Sequence, residues 1–320
     1  MGNVIANAFA FRENYGNSMQ LEGRKDDRKL RAYMSDIVVS LVSARRKNPE
    51  DTVVLVTNRD LPEDFVKRLQ REEIEVLSVP FDAYVMPKDF PWALAFYKIC
   101  ALEYLAAKEG VERILLMDTD TYTTESYASL WKEADHGLML FGLGHSYDHP
   151  DRAQIRKDYR SLYPEEKRNI VHYGGEFLCA RQEDLADYLK ICRSVYERMK
   201  EKAFSVDKKS GDELILSIAA AIYKESHPVT EATAYIYRYW TEDHFYLVST
   251  NTESNPVCIW HLPEEKDKGL LLLYRYYDKH NAFPKKEKAC RYLGLIRAKR
   301  PYPLMSLYAR WIRKRMGEKR

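Results

Sequence analysis

The chain has 320 residues, 45% of them hydrophobic and 31% charged, with a formal charge of +3. That balance excludes an intrinsically disordered chain, and no stretch approaches the roughly 20 apolar residues of a membrane span. The charge is uneven: Pro284 to Arg320 holds 13 Lys+Arg against 2 Asp+Glu, a local +11, which leaves residues 1–283 at −8. An acidic body over 1–283 followed by a basic extension over 284–320 is the division this implies.

In chain order, β-branched runs alternate with helical periodicity. Val4 to Phe11 reads as a first strand, and Leu30 to Arg45 carries apolar residues at helical spacing (Leu30, Met34, Ile37, Val38, Leu41, Val42). Thr52 to Val56 reads as a strand, Leu61 to Arg71 as a helix with Pro62 in its first turn, and Ile74 to Val79 as a third strand. Trp92 to Lys108 is predicted helical and is stopped by Gly110; Arg113 to Asp118 is a fourth strand. Thr121 to Ser126 reads as a polar loop, and Gly137 to Phe141 as a further strand. Gly174-Gly175 suggests a turn ahead of a strand reaching Ala180, and Gln182 to Lys200 is a long helix. Asp212 and Glu213 open another helix, whose run Leu214 to Ile222 is apolar enough for a core. Tyr235 to Tyr239 and Val257 to His261 read as strands. Such β-α-β-α repetition predicts an α/β fold with a mainly parallel sheet flanked by helices and right-handed crossovers.

Five scattered cysteines (Cys100, Cys179, Cys192, Cys258, Cys290) include no Cys-x-x-Cys pair, so reduced thiols and a cytoplasmic setting are expected. The first residues reach Arg12 and Glu13 without a long apolar run, so no secretory leader is expected.

The residues that point to chemistry are Asp118-Thr119-Asp120, at the end of the apolar run Arg113 to Met117. Ligands of open α/β sheets bind beyond the carboxyl ends of strands. Two carboxylates side by side repel each other, and a divalent cation relieves that repulsion, with a diphosphate supplying further oxygens. This suggests a metal-assisted nucleotide-sugar site. About one Asp-x-Asp is expected by chance in a chain this long, so its place after a strand carries the weight. The alternative is a solvated turn whose Asp side chains cap the next helix. Asp212 and Glu213 have a comparable alternative, as acidic groups favouring the positive end of their helix.

Together with four other segments, this motif resembles retaining glycosyltransferases of the GT-A fold. The likeness is to glycosyltransferase family 8, the glycogenin and lipopolysaccharide galactosyltransferase group, over roughly residues 4–268. Phe9-Ala10-Phe11-Arg12-Glu13-Asn14-Tyr15 looks like the first strand and loop that hold the nucleobase. Lys98 looks like the helix lysine near the diphosphate, Gly211-Asp212-Glu213 like the acidic helix start near the sugar, and Val257 to His261 like the late strand whose histidine completes the metal shell. The family usually has Asn-Ser-Gly where Tyr173-Gly174-Gly175 stands, and Asp-Gln where Asp212-Glu213 stands. A Glu there is similar to the candidate nucleophile of family 6, the blood-group transferases.

The resemblance implies a transferase moving a hexose from a nucleotide donor, UDP-linked, to a glycan or lipid-linked glycan hydroxyl, with retention preferred. It implies metal ligation by Asp118, Asp120 and His261, and donor contacts from Phe9, Ala10, Phe11, Asn14, Tyr15, Lys98, Asp118, Thr119, Gly174, Gly175 and Lys266. Glu213 and Asp212 take the catalytic places, as nucleophile, as stabiliser of an oxocarbenium-like state or as base. Hard carboxylate oxygens suit Mn²⁺ or Mg²⁺, and an imidazole favours Mn²⁺. Taken alone, His261 also suits a surface histidine ending a strand, and Lys98 a stem lying over the core with its amine in water. The Gly142 to His149 segment, rich in Gly and His, suits an acceptor-side loop or a plain surface loop.

In the extension, Leu304, Leu307, Tyr308, Trp311 and Ile312 share one helical face, with Arg310, Arg313 and Lys314 largely outside it. This suits a helix on an anionic membrane surface over about residues 297–320, or one docked on the body. The acidic body and the lack of a recognition motif argue against nucleic acid. Two rival readings are a haloacid-dehalogenase-like Mg²⁺ phosphatase and a noncatalytic nucleotide-sugar binder. The phosphatase pattern wants Thr or Val two residues after the second Asp, where Tyr122 stands.

Overall fold

The computed structural model describes residues 2–11, 25–248 and 257–297. In chain order the elements are β1 (Asn3–Phe9), α1 (Asp26–Lys47), β2 (Thr52–Thr57), α2 (Glu63–Arg71), β3 (Ile74–Ser78), α3 (Tyr97–Ala106) and β4 (Arg113–Met117). Then follow β5 (Thr121–Thr123), α4 (Ala128–Ala134), β6 (Leu138–Gly142), α5 (Pro150–Leu162), β7 (Tyr173–Arg181), α6 (Gln182–Glu201) and α7 (Glu213–Tyr223). The last are β8 (Val229–Glu231), β9 (Ile236–Arg238), β10 (Leu247–Val248), β11 (Ile259–His261), α8 (Gly269–His280), α9 (Lys286–Tyr292) and β12 (Ile296–Arg297).

The central sheet has the order β3-β2-β1-β4-β7-β6-β8. Its pairings are parallel except those of β7, which runs antiparallel to both neighbours. The fold is therefore mixed α/β with a mainly parallel sheet flanked by helices, as the strand–helix alternation predicts. Burial on both faces explains the near-continuous Val/Ile/Leu runs of its strands. One face packs on α3, α5, α6 and α7, with Leu214, Ile215, Ile218 and Ala219 of α7 fully or nearly fully buried. The other packs on α1, α2 and α4 through Ile37, Val38, Leu41, Phe65 and Leu130.

The sequence-based expectations differ from the structure in three places. The polar Thr121 to Ser126 loop begins as strand β5, whose three residues are buried against β11. Gly174 and Gly175 do not form a turn: both lie within β7. The Trp92 start of the helix is a series of turns with bonds from residue i to i−3, Ala93 to Phe90 and Ala95 to Trp92, before regular helix begins at Tyr97. Helices α4, α5, α8 and α9 were not anticipated by periodicity. Within the basic extension, α9 and the approach to β12 place Ala289, Cys290, Leu293 and Leu295 against Trp260 and Leu273. Asn14, Tyr15 and the amphipathic stretch 301–320 lie outside the described residues. All five cysteines are free and buried. Among the described residues, no helix is long and apolar enough to cross a membrane.

One core group is anomalous. Asp36, in the middle of α1, is 0% exposed, and neither carboxyl oxygen has a hydrogen-bond partner. Burial pushes its pKa well above the ordinary carboxylate value, against the opposing pull of Lys266. A raised folded-state pKa means that its contribution is fully present below the unfolded value of about 3.9 and is lost as pH rises toward the folded one. Asp36→Asn should therefore raise Tm at pH 8 and leave it nearly unchanged at pH 4; an equal shift at both would refute this assignment.

Candidate functional site

The carboxyl ends of β1 and β4 open into a cavity of about 350 Å³. Phe9, Ala10, Lys98, Asp118, Thr119, Asp120, Gly175, Asp212, Glu213, His261 and Lys266 all line it. Phe11 and Gly174 fall outside the lining, although Phe11 is buried beside Phe9, with ring centroids 6.3 Å apart. Residues that the sequence left unassigned also line it: Glu176, Arg238, Trp92 and Trp240.

The Asp-Thr-Asp backbone is pinned from several directions. Asn7, buried in β1, donates to the carbonyls of Met117 at 2.9 Å and Asp118 at 3.3 Å. The Asp118 N–H donates to the Glu176 carbonyl at 3.1 Å, and the Leu262 N–H to the Asp120 carbonyl at 3.0 Å. Beyond Asp120 the chain enters a small sheet of order β5-β11-β9. Its register sets Thr121 opposite His261, and His261 opposite Arg238. Cross-strand neighbours lie about 5 Å apart, so three residues distant in sequence form one row beside Asp120.

That row belongs to an ionic network. His261 is buried; its Nε2 is 3.3 Å from Asp120 Oδ2 and 3.9 Å from Asp118 Oδ2. Its Nδ1 is 3.1 Å from Glu176 Oε1. Burial lowers its pKa, but Asp120 and Glu176 outweigh that and raise it to about 9. Glu176, 1% exposed, receives two hydrogen bonds from Arg238, Nε to Oε1 at 2.5 Å and Nη2 to Oε2 at 2.6 Å. Burial disfavours its charge, yet Arg238 and His261 hold it well below the usual carboxylate range. Arg238 Nη2 also donates to Glu213 Oε1 at 3.0 Å. Glu213 Oε2 in turn lies 2.8 Å from Nε2 of His172.

Two lysines complete the pocket. Lys98 Nζ contacts Asp118 Oδ1 at 2.9 Å, the Gly175 carbonyl at 2.8 Å and Asp212 Oδ2 at 3.0 Å. Burial favours neutral Lys98, but the two aspartates override it and keep the ammonium charged. Its amine is held among acidic groups, not in water. Lys266 pairs with Asp120, and with His261 it depresses the Asp120 pKa far below normal despite burial. Asp212 stands at the N-cap of α7 but makes no side-chain cap bond there; its carboxylate faces Lys98 instead. Burial, partly opposed by Lys98, raises its pKa to about 6. The preceding Gly211 has φ +58°, a conformation open to glycine at no steric cost.

The two glycines of β7 make room for this network. A Cβ on Gly174 would collide with the Glu176 carboxylate and come within 2.7 Å of Arg238 Nη2. A Cβ on Gly175 would collide with the Asp212 carboxylate and come within 2.9 Å of Lys98 Nζ. Their signal in the sequence was correct in being structural; its meaning is close approach within a strand, not a turn.

Asp118, Asp120 and His261 bring one ligand atom each to within 4.8 Å of one another. Two hard carboxylates and one imidazole suit a divalent cation, and the Glu176 carboxylate behind His261 Nδ1 is the outer partner such histidine ligands normally have. The donor set therefore fits Mn²⁺ or Mg²⁺.

No family model matches this chain, and no curated protein matches it in sequence. Solved structures do: 375 chains match in fold. One is mouse xyloside xylosyltransferase 1, apo form, with a TM-score of 0.49 and 13% identity over 82% of this chain and 97% of that one. A likeness at this level carries no assignment of activity.

Proposed function

We propose that this protein is a metal-dependent glycosyltransferase that moves a hexose from a UDP-linked donor to a hydroxyl of a glycan or lipid-linked glycan, with retention. The observation that carries the reading is that Asp118, Asp120 and His261, all lining the cavity beyond β4, bring ligand atoms within 4.8 Å of one another. Bound Mn²⁺ or Mg²⁺ would supply electrostatic stabilisation to the leaving diphosphate. Lys98 and Lys266 would turn their ammonium groups to the same phosphate oxygens, exchanging their present carboxylate partners for the donor. The β1 end, Phe9 and Ala10, with Phe11 beside it, would hold the uracil base. Gly175 leaves the room in which Asp212 and Lys98 reach the donor pocket. Glu213, oriented by Arg238 and His172, would face the reacting carbon as nucleophile or stabiliser of positive charge, and Asp212 would bind sugar hydroxyls.

Thermal stabilisation by UDP, GDP, CDP and ADP, each with and without Mn²⁺, tests this. The expected result is a shift with UDP that requires Mn²⁺. Equal shifts with and without the ion would remove the metal from the account, and no shift with any nucleotide would remove the donor.

On this reading the basic 297–320 sequence would hold the enzyme at an anionic membrane beside its acceptor, each Lys or Arg near such a surface contributing about 1 kcal/mol. Deleting residues 301–320 should lower binding to anionic liposomes and preserve UDP stabilisation. Equal liposome binding by both forms would sink the membrane reading.

A further inference from the structure

His172, immediately before β7, is buried, and both of its ring nitrogens are engaged. Nε2 is 2.8 Å from Glu213 Oε2, and Nδ1 is 3.0 Å from Nδ1 of His145. A carboxylate oxygen only accepts, so the Nε2 of His172 carries a hydrogen. A neutral imidazole has one such hydrogen, which leaves a lone pair on His172 Nδ1. The hydrogen between the two rings then belongs to His145 Nδ1. His145 is itself held in place: Arg152 Nη1 donates to its carbonyl at 2.9 Å, and its ring stacks on His149 at 3.5 Å.

We propose that His172 is a positioning residue for Glu213, and that His145 locks the tautomer in which it acts. This rests on the reading of Glu213 as the carboxylate at the reacting carbon. Arg238 is shared between Glu176 and Glu213, so by itself it fixes only one Glu213 oxygen. The His172 bond fixes the other and sets the plane of the carboxylate. With the opposite tautomer, His172 would present a lone pair to that oxygen and repel it. His145, by donating to Nδ1, removes that alternative.

A metal is the competing use of this cluster, since His145, His149 and Asp151 bring ligand atoms within 4.8 Å. The His145 and His149 rings are only 13° from parallel and 3.5 Å apart, so their in-plane lone pairs run side by side and do not meet at one ion. Arg152, bonded to the carbonyl of His145, also brings a positive charge to this segment.

The test compares full-length wild type with His172→Phe, His172→Gln and His145→Phe. Long-range ¹H–¹⁵N NMR at pH 8 reads the tautomers, and Mn²⁺-dependent turnover of a panel of UDP-hexoses reads the effect on chemistry. Wild type should show His145 as the Nδ1–H form and His172 as the Nε2–H form. His172→Phe should lower kcat about 100-fold with donor KM within threefold, the cost of a misplaced reacting group. His172→Gln, whose amide can donate to Glu213 without help from His145, should return to within tenfold of wild type. His145→Phe should fall between the two. An Nε2–H His145 in wild type, or wild-type kcat in His172→Phe, or His172→Gln as impaired as His172→Phe, would each overturn the proposal. Absence of turnover by wild type would sink the transferase reading instead, and the tautomers would still decide the histidine pair.

Discussion

Asp120→Asn should abolish the Mn²⁺-dependent stabilisation by UDP. This is the expected result with the largest functional effect, because on the proposed function Asp120 would offer the cation an oxygen already held beside His261 and already ionised. Replacing it by an amide removes half of the carboxylate charge of the pair. A ligand at a hundred times its dissociation constant adds about 2.7 kcal/mol, and for a chain of this size that is a Tm rise of roughly 4 °C. The variant should lose that rise. Asp120 is buried and pairs with Lys266, so the substitution also lowers Tm in the absence of ligand. Asp118→Asn, at a more exposed carboxylate, separates the two effects: it should lose the ligand response with a smaller loss of Tm. A full UDP response with Mn²⁺ in both variants would show that the ion, if bound, sits elsewhere.

Arg238→Met should destabilise the protein by about 3–5 kcal/mol, the usual cost of leaving one partner of a buried ion pair alone. The loss leaves Glu176 with His261 and Glu213 with His172, and Glu176 is the more deeply buried of the two. Because Arg238 and His261 depress the folded pKa of Glu176 against its burial, the stabilisation is present above the ordinary Glu value of about 4.3 and fades as pH falls below it. The loss in Arg238→Met should therefore be greatest at neutral pH and shrink on acidification. The double variant Glu176→Gln/Arg238→Met should recover part of the Tm, since the fully buried Glu176 charge is then gone and Glu213 keeps His172. A Tm within about 2 °C of wild type for Arg238→Met at pH 7 would mean that water, not protein, solvates Glu176.

The rest of the site depends on the same geometry. Lys98 and Lys266 neutralise Asp118, Asp212 and Asp120, so on the proposed function a cation and a diphosphate would have to rearrange these ion pairs. Gly174 and Gly175 are the small residues that let those pairs close.

The alternation of β-branched runs and helical spacing was sufficient to predict an α/β fold with a mainly parallel sheet, because burial on both faces of a parallel sheet writes itself into contiguous residues. The same local logic put Asp118 at a strand end, Lys98 on a helix, Asp212 and Glu213 at a helix start and His261 at the end of a late strand. What it could not supply were partners. Glu176 lies 62 residues from Arg238 and 85 from His261, and His172 lies 41 from Glu213. No periodicity spans such distances. Thr121 to Thr123 looked like a loop because hydroxyls alternate there with one tyrosine, yet the segment is a strand because β11 arrives beside it. That pairing, decided only by the tertiary structure, carries His261 and Arg238 to the side of Asp120. Glu176 carried one faint signal, an acidic residue in a strand that continues as Phe177, Leu178, Cys179 and Ala180. A carboxylate at such a position needs a cation, and which cation it meets is settled by how the small sheet packs across the carboxyl end of the large one.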